Sequence, residues 1–146
     1  MIDFKRLLPN WKLEIEEISS NVYQFIAENS HVNRVEITES DYDAGYRKCM
    51  ADTFDIELKL NRDNKFLYDT FLRLIDPSKI IDHRYDHFAL GSWFIQTERK
   101  RIILDGRDFV LRVDGNLKNE WIMTNSINNY DTIKLTSIEM IIDEFK

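Results

Sequence analysis

Trp11-Lys12-Leu13-Glu14-Ile15-Glu16 decides how this chain is read. Apolar and polar residues alternate strictly there, the period of a strand with one buried and one wet face. Ser19-Ser20-Asn21 supplies a turn signal, Val22 to Ala27 reads as a second strand, and Asn29-Ser30-His31 turns the chain again. Arg34-Val35-Glu36-Ile37-Thr38 repeats the alternation. Three short strands joined by tight turns predict an antiparallel meander.

Working outward, residues 2–8 allow a helical turn or two ahead of Pro9. Ser40, three residues before Asp43, is an N-cap signature for a helix over about 41–60. Tyr46, Cys49, Met50, Thr53, Phe54, Ile56 and Leu60 would form its apolar face. Asn61-Arg62-Asp63-Asn64 breaks the pattern, and a second helix over about 65–76 closes at Pro77. Strands return at Ala89 to Thr97, with Trp93 and Ile95 facing one way and Phe94 the other. Arg101 to Leu104, Phe109 to Val113 and Trp121 to Met123 follow, punctuated by Asp105-Gly106 and Asp114-Gly115. Thr136-Ser137-Ile138-Glu139 matches a capping box and opens a last helix with Ile138, Ile141, Ile142 and Phe145 inward. The prediction is one α+β domain over 1–146, of order βββ-αα-ββββ-α, with antiparallel sheets and the helices packed on one face.

Composition narrows the function classes. The 146 residues are 43% hydrophobic and 32% charged, with 4 Gly and 2 Pro, which suits a globular domain and not a disordered one. No apolar run approaches the roughly 18–20 residues of a membrane span, and the opening Met1-Ile2-Asp3-Phe4-Lys5-Arg6 lacks a signal-peptide layout. A single cysteine, Cys49, excludes a disulfide framework and any multi-thiolate metal site, so a cytoplasmic location is expected. Net charge is −6, and residues 1–76 carry 15 acids against 10 bases. That sign disfavours direct nucleic-acid binding and favours a protein partner with a basic surface.

Candidate chemistry is sparse. On a helix, His83 and His87 would face one side, and Asp82 and Asp86 could add oxygens, so a small metal-dependent hydrolase is one reading of this segment. A metalloprotease helix needs Glu after its first His, whereas this chain has Arg84, which cannot accept a proton. A polar connecting loop is the plainer reading. Cys49 falls on an apolar helix face, which suits inert core. The four glycines are scattered and form no phosphate cradle. Glu98-Arg99-Lys100-Arg101 is the only basic cluster along the sequence and suits a hairpin loop. Trp93 and Trp121 could line a small-ligand site, though core packing explains both. No cofactor and no metal site is predicted.

The acidic residues are more informative. Alternation exposes Glu14, Glu16 and Glu36 on one face of the predicted meander, and the chain then leads to Asp41 and Asp43 at a helix start. A solvated acidic surface accounts for them, and so does a docking surface for a basic partner. These five are the candidate partner-binding residues.

Two segments resemble a known group. Residues 11–23, a strand–turn–strand opening, and Gly91-Ser92-Trp93-Phe94 with Ile102-Ile103-Leu104-Asp105-Gly106-Arg107-Asp108 are similar to immunity proteins of bacterial toxins, including those of contact-dependent growth inhibition. The resemblance implies a non-enzymatic cytoplasmic inhibitor that binds one cognate toxin and occludes its active site. It carries over no catalytic residue.

Overall fold

Asp3 opens the structured chain by accepting a hydrogen bond from the Arg6 N–H, which caps a one-turn helix α1 (Phe4–Leu7). The structure is a computed structural model and describes residues 2–30, 32–61, 64–115, 119–122 and 134–146. His31, Arg62, Asp63 and Met123, named in the turn, helix-break and strand expectations, lie outside the described residues, as does the Trp121 side chain.

β1 (Trp11–Ser19), β2 (Val22–Asn29) and β3 (Arg34–Glu39) form a three-stranded antiparallel sheet in chain order. Asn21 closes the first hairpin at φ 58°, a left-handed conformation that asparagine tolerates. The register aligns Ile15, Phe25 and Ile37 on one face, with Leu13, Ala27 and Val35 beside them. Phe25 and Ala27 are fully buried there, and Trp11 nearly so. The Trp11 Nε1–H donates to Glu57 Oε1 at 2.8 Å, which satisfies its one polar atom.

Helix α2 (Tyr42–Asn61) follows. Asp41, not Ser40, caps it: the Ala44 N–H donates to Asp41 Oδ1 at 3.1 Å. Its start lies on the Phe25 face of the sheet. Tyr42 packs against Tyr23 and Phe25 with ring centroids 5.4 and 5.5 Å apart. Gly45 permits the approach, because a Cβ there would meet the Phe25 ring at 2.3 Å. Cys49, Met50, Thr53, Phe54 and Leu58 are buried along the helix, whereas Leu60, expected inward, is exposed.

Helix α3 (Asn64–Leu74) ends before a short 3-10 turn at Pro77–Lys79. A five-stranded antiparallel meander comes next, again in chain order: β4 (Ile80–Asp86), β5 (Ser92–Thr97), β6 (Arg101–Asp105), β7 (Val110–Asp114) and β8 (Asn119–Ile122). The expected α+β class and order hold, with one strand added. β4 occupies the segment read as a connecting loop. Its charged side chains hid it, because an edge strand buries little and shows weak alternation. Trp93, Ile95, Ile102, Leu104, Leu111 and Val113 are buried on one face. α3 covers that face, with Tyr68 and Phe71 each 5.7 Å from Trp93 between ring centroids.

Helix α4 (Leu135–Asp143) buries Leu135, Ile138 and Ile141, and Lys100 Nζ meets Glu144 Oε2 just beyond its end at 2.7 Å. The predicted capping box does not form: Lys134 takes the N-cap position without a side-chain hydrogen bond, and Thr136 lies inside the helix. The chain divides into two units, Met1–Glu57 and Leu58–Lys146.

Candidate functional site

The five predicted contact residues separate into two groups. Glu14 lies opposite Ile26, and Ile26 lies opposite Glu36, so the three side chains form one row across the first sheet. Paired positions share a face, which is here the one turned away from Phe25. Strand spacing sets the two glutamates about 10 Å apart. Glu16 sits one repeat along β1, opposite Gln24. Asp41 and Asp43 belong to α2, which packs on the other face, and Asp41 already serves as its cap. The structure therefore brings Glu14, Glu16 and Glu36 together and leaves Asp41 and Asp43 apart from them.

This outer face also holds Lys12, Glu28 and Arg34 in register. Four glutamates against two bases leave a net charge of −2. Lys12 meets Glu14 at 3.0 Å, and Arg34 meets Glu28 at 2.6 Å and Glu36 at 3.8 Å. Gln24 donates to Glu36 at 2.8 Å. These pairs are exposed and each is worth about 1 kcal/mol or less, so a partner can exchange them. Glu16 makes no ion pair among the described residues. Ile26, half-buried at the centre, gives the face an apolar middle and a charged rim.

The histidine segment does not assemble as a site. Strand β4 sends Asp82, Arg84 and Asp86 to one face and His83 and Tyr85 to the other. His87 lies in the following turn, and in an extended chain four residues span about 13 Å. The His83 Nδ1 is engaged by the Tyr68 hydroxyl. Burial pushes the Tyr68 hydroxyl pKa above its ordinary value. Among the described residues no group of three His, Cys, Asp or Glu side chains is placed to hold a metal. Cys49 is fully buried, and burial raises its thiol pKa, which suppresses the reactive thiolate. Trp93 is core under α3.

A second cluster was not legible as a run of sequence. Arg84, Phe94, Ile103 and Arg112 align in one cross-strand row on the outer face of the second sheet. The Arg101 guanidinium lies over the Phe94 ring, 4.4 Å from its centroid. With Arg107 from the β6–β7 turn, these residues line a groove of about 540 Å³. Only Arg101 belongs to the basic run 98–101; the other three arginines come from separate strands and a turn. The available signal was period-two alternation, which puts Phe94, Ile103 and Arg112 on the face opposite the core. Beside the groove, Asp86 Oδ1 accepts from the N–H groups of Phe88 and Ala89, ordering a turn that leaves Phe88 almost wholly exposed.

No helix among the described residues is long and apolar enough to cross a membrane. The chain matches no family model, no curated protein and no solved structure.

Proposed function

We propose that this chain is a non-enzymatic protein-binding inhibitor: an immunity protein that neutralises a cognate bacterial toxin by docking on its basic active site. The in-register row Glu14–Ile26–Glu36, extended by Glu16, carries this reading. Carboxylates around an apolar centre match the polar-rim, apolar-core anatomy of protein interfaces. A rigid sheet holds them without loop ordering, which limits the entropic cost of association. Their field acts on a basic partner before contact and raises the association rate. The resemblance of residues 11–23, 91–94 and 102–108 to immunity proteins supplies the toxin as the kind of partner, and a cytoplasmic location follows from that role.

The reading predicts that an adjacent gene encodes a secreted toxin, and the test uses the toxin domain of that product. Stoichiometric addition of the chain should abolish that toxin's activity, and the Glu14→Lys, Glu16→Lys, Glu36→Lys variant should inhibit more slowly at low salt. A neighbouring toxin that stays fully active at equimolar or excess chain refutes the inhibitor reading.

A further inference from the structure

The arginine groove of the second sheet shares no residue with the acidic face that carries that reading. We propose that it is a binding site for a small planar anion of mononucleotide size, with the flat ring stacked at Phe94 and Arg101 and the phosphate held by the surrounding arginines.

Four observations lead there. First, four arginines, Arg84, Arg101, Arg107 and Arg112, line one groove of an acidic chain, with Asp86 and Asp105 in the same lining and Asp114 beside Arg112. Second, the guanidiniums keep donors to spare. Arg84 meets Asp86 at 3.8 Å, Arg107 meets Asp105 at 3.7 Å and Arg112 meets Asp114 at 3.5 Å. Those contacts are long and exposed, and each guanidinium has five N–H groups in a fork suited to phosphate oxygens. Third, Phe94 and Ile103 are only half-buried and lie side by side at the centre of the row. The Arg101 guanidinium rests on the Phe94 ring, and its outer plane is a surface on which a nucleobase stacks. Fourth, about 540 Å³ falls within the usual size of small-ligand sites.

A single nucleotide fits better than a nucleic-acid strand. Strand binding uses successive aromatic platforms, whereas among the residues lining the groove Phe94 is the one half-buried ring, Trp93 being core. A polyanion would also feel the repulsion of the whole acidic chain. One phosphate seated among the arginines lies within a Debye length of them, about 8 Å at physiological salt.

Titration of the full chain with adenosine, guanosine and uridine 5′-monophosphates, followed by amide chemical shifts, tests the proposal. At least one should saturate, with shifts concentrated on β5, β6 and β7. Adenosine alone and inorganic phosphate alone should each bind at least about tenfold more weakly, a difference of about 1.4 kcal/mol. Arg101→Gln and Arg112→Gln change exposed side chains and should each weaken the nucleotide about tenfold, with the remaining amide spectrum unchanged. Phe94→Leu should do the same while keeping an apolar residue in the row. Absence of saturable binding by any monophosphate overturns the proposal. So does inorganic phosphate binding as well as the nucleotides, or an oligouridylate binding tighter than uridine monophosphate in proportion to its length.

Discussion

The outer faces of the two sheets are built alike, and the central rows that cross them carry opposite charges. The first carries Glu14–Ile26–Glu36 across three strands, and the second carries Arg84–Phe94–Ile103–Arg112 across four. Each sets apolar side chains between two charges of one sign. Hydrogen-bond register creates both rows, because residues far apart in sequence become neighbours about 4.8 Å from strand to strand. A net charge of −6 thus does not describe the second row.

The largest expected effects separate the inner from the outer faces. Phe25→Ala removes a fully buried ring and should cost about 3–5 kcal/mol, while Phe94→Ala on an outer face should cost about 1 kcal/mol or less. Urea midpoints measure both; equal losses would erase the inner–outer distinction. Next, Gly45→Ala gains up to about 1 kcal/mol in helix propensity but forces a methyl into the Phe25 ring. Overpacking costs about 1–3 kcal/mol, so a net loss is expected. A stabilised variant would show that α2 does not approach the sheet so closely.

A comparable loss is expected in the second unit. Lys100→Met strands the Glu144 carboxylate, whose side chain keeps about a fifth of its exposure, at a cost of about 1–3 kcal/mol. Combining it with Glu144→Gln should recover part of that loss, since the uncompensated charge is gone.

The smallest effect concerns acid. Asp105, at the groove, accepts from the Arg107 N–H at 2.9 Å, and that bond holds its carboxyl below the usual carboxylate range. A depressed folded pKa contributes stability that is present above the unfolded value, about 3.9, and is lost as pH falls through the folded one. Asp105→Asn should flatten the acid limb of the urea-midpoint profile below about pH 4, leaving it unchanged near neutrality. An identical acid limb in the variant would assign that limb to other carboxylates.

Much of this architecture was readable in one dimension. Alternation at 11–16 and 34–38 placed the glutamates on a common face, and the Trp93/Phe94 alternation assigned those side chains to opposite faces. Local pattern failed where tertiary pairing decides. Residues 80–86 form a strand because β5 offers a free edge, not because their own pattern demands it. Thr136 lies inside α4 because the helix begins at Leu135, which is buried. Asp41 displaced Ser40 as cap because α2 starts one residue later than expected. The arginine cluster is a product of register, and no contiguous motif encodes it.

The acidic face bears the functional account, so its effect on association is the decisive quantity. Stopped-flow mixing of the chain with the cognate toxin domain that the proposed function predicts gives that rate directly. At low ionic strength the Glu14→Lys, Glu16→Lys, Glu36→Lys variant should associate about tenfold or more slowly than the unmodified chain, and the gap should narrow as salt screens the field. Surface changes of this kind shift stability by about 0.5 kcal/mol each, so folding is retained. A folded variant that associates at the unmodified rate in low salt would contradict the account and move the contact surface off this sheet.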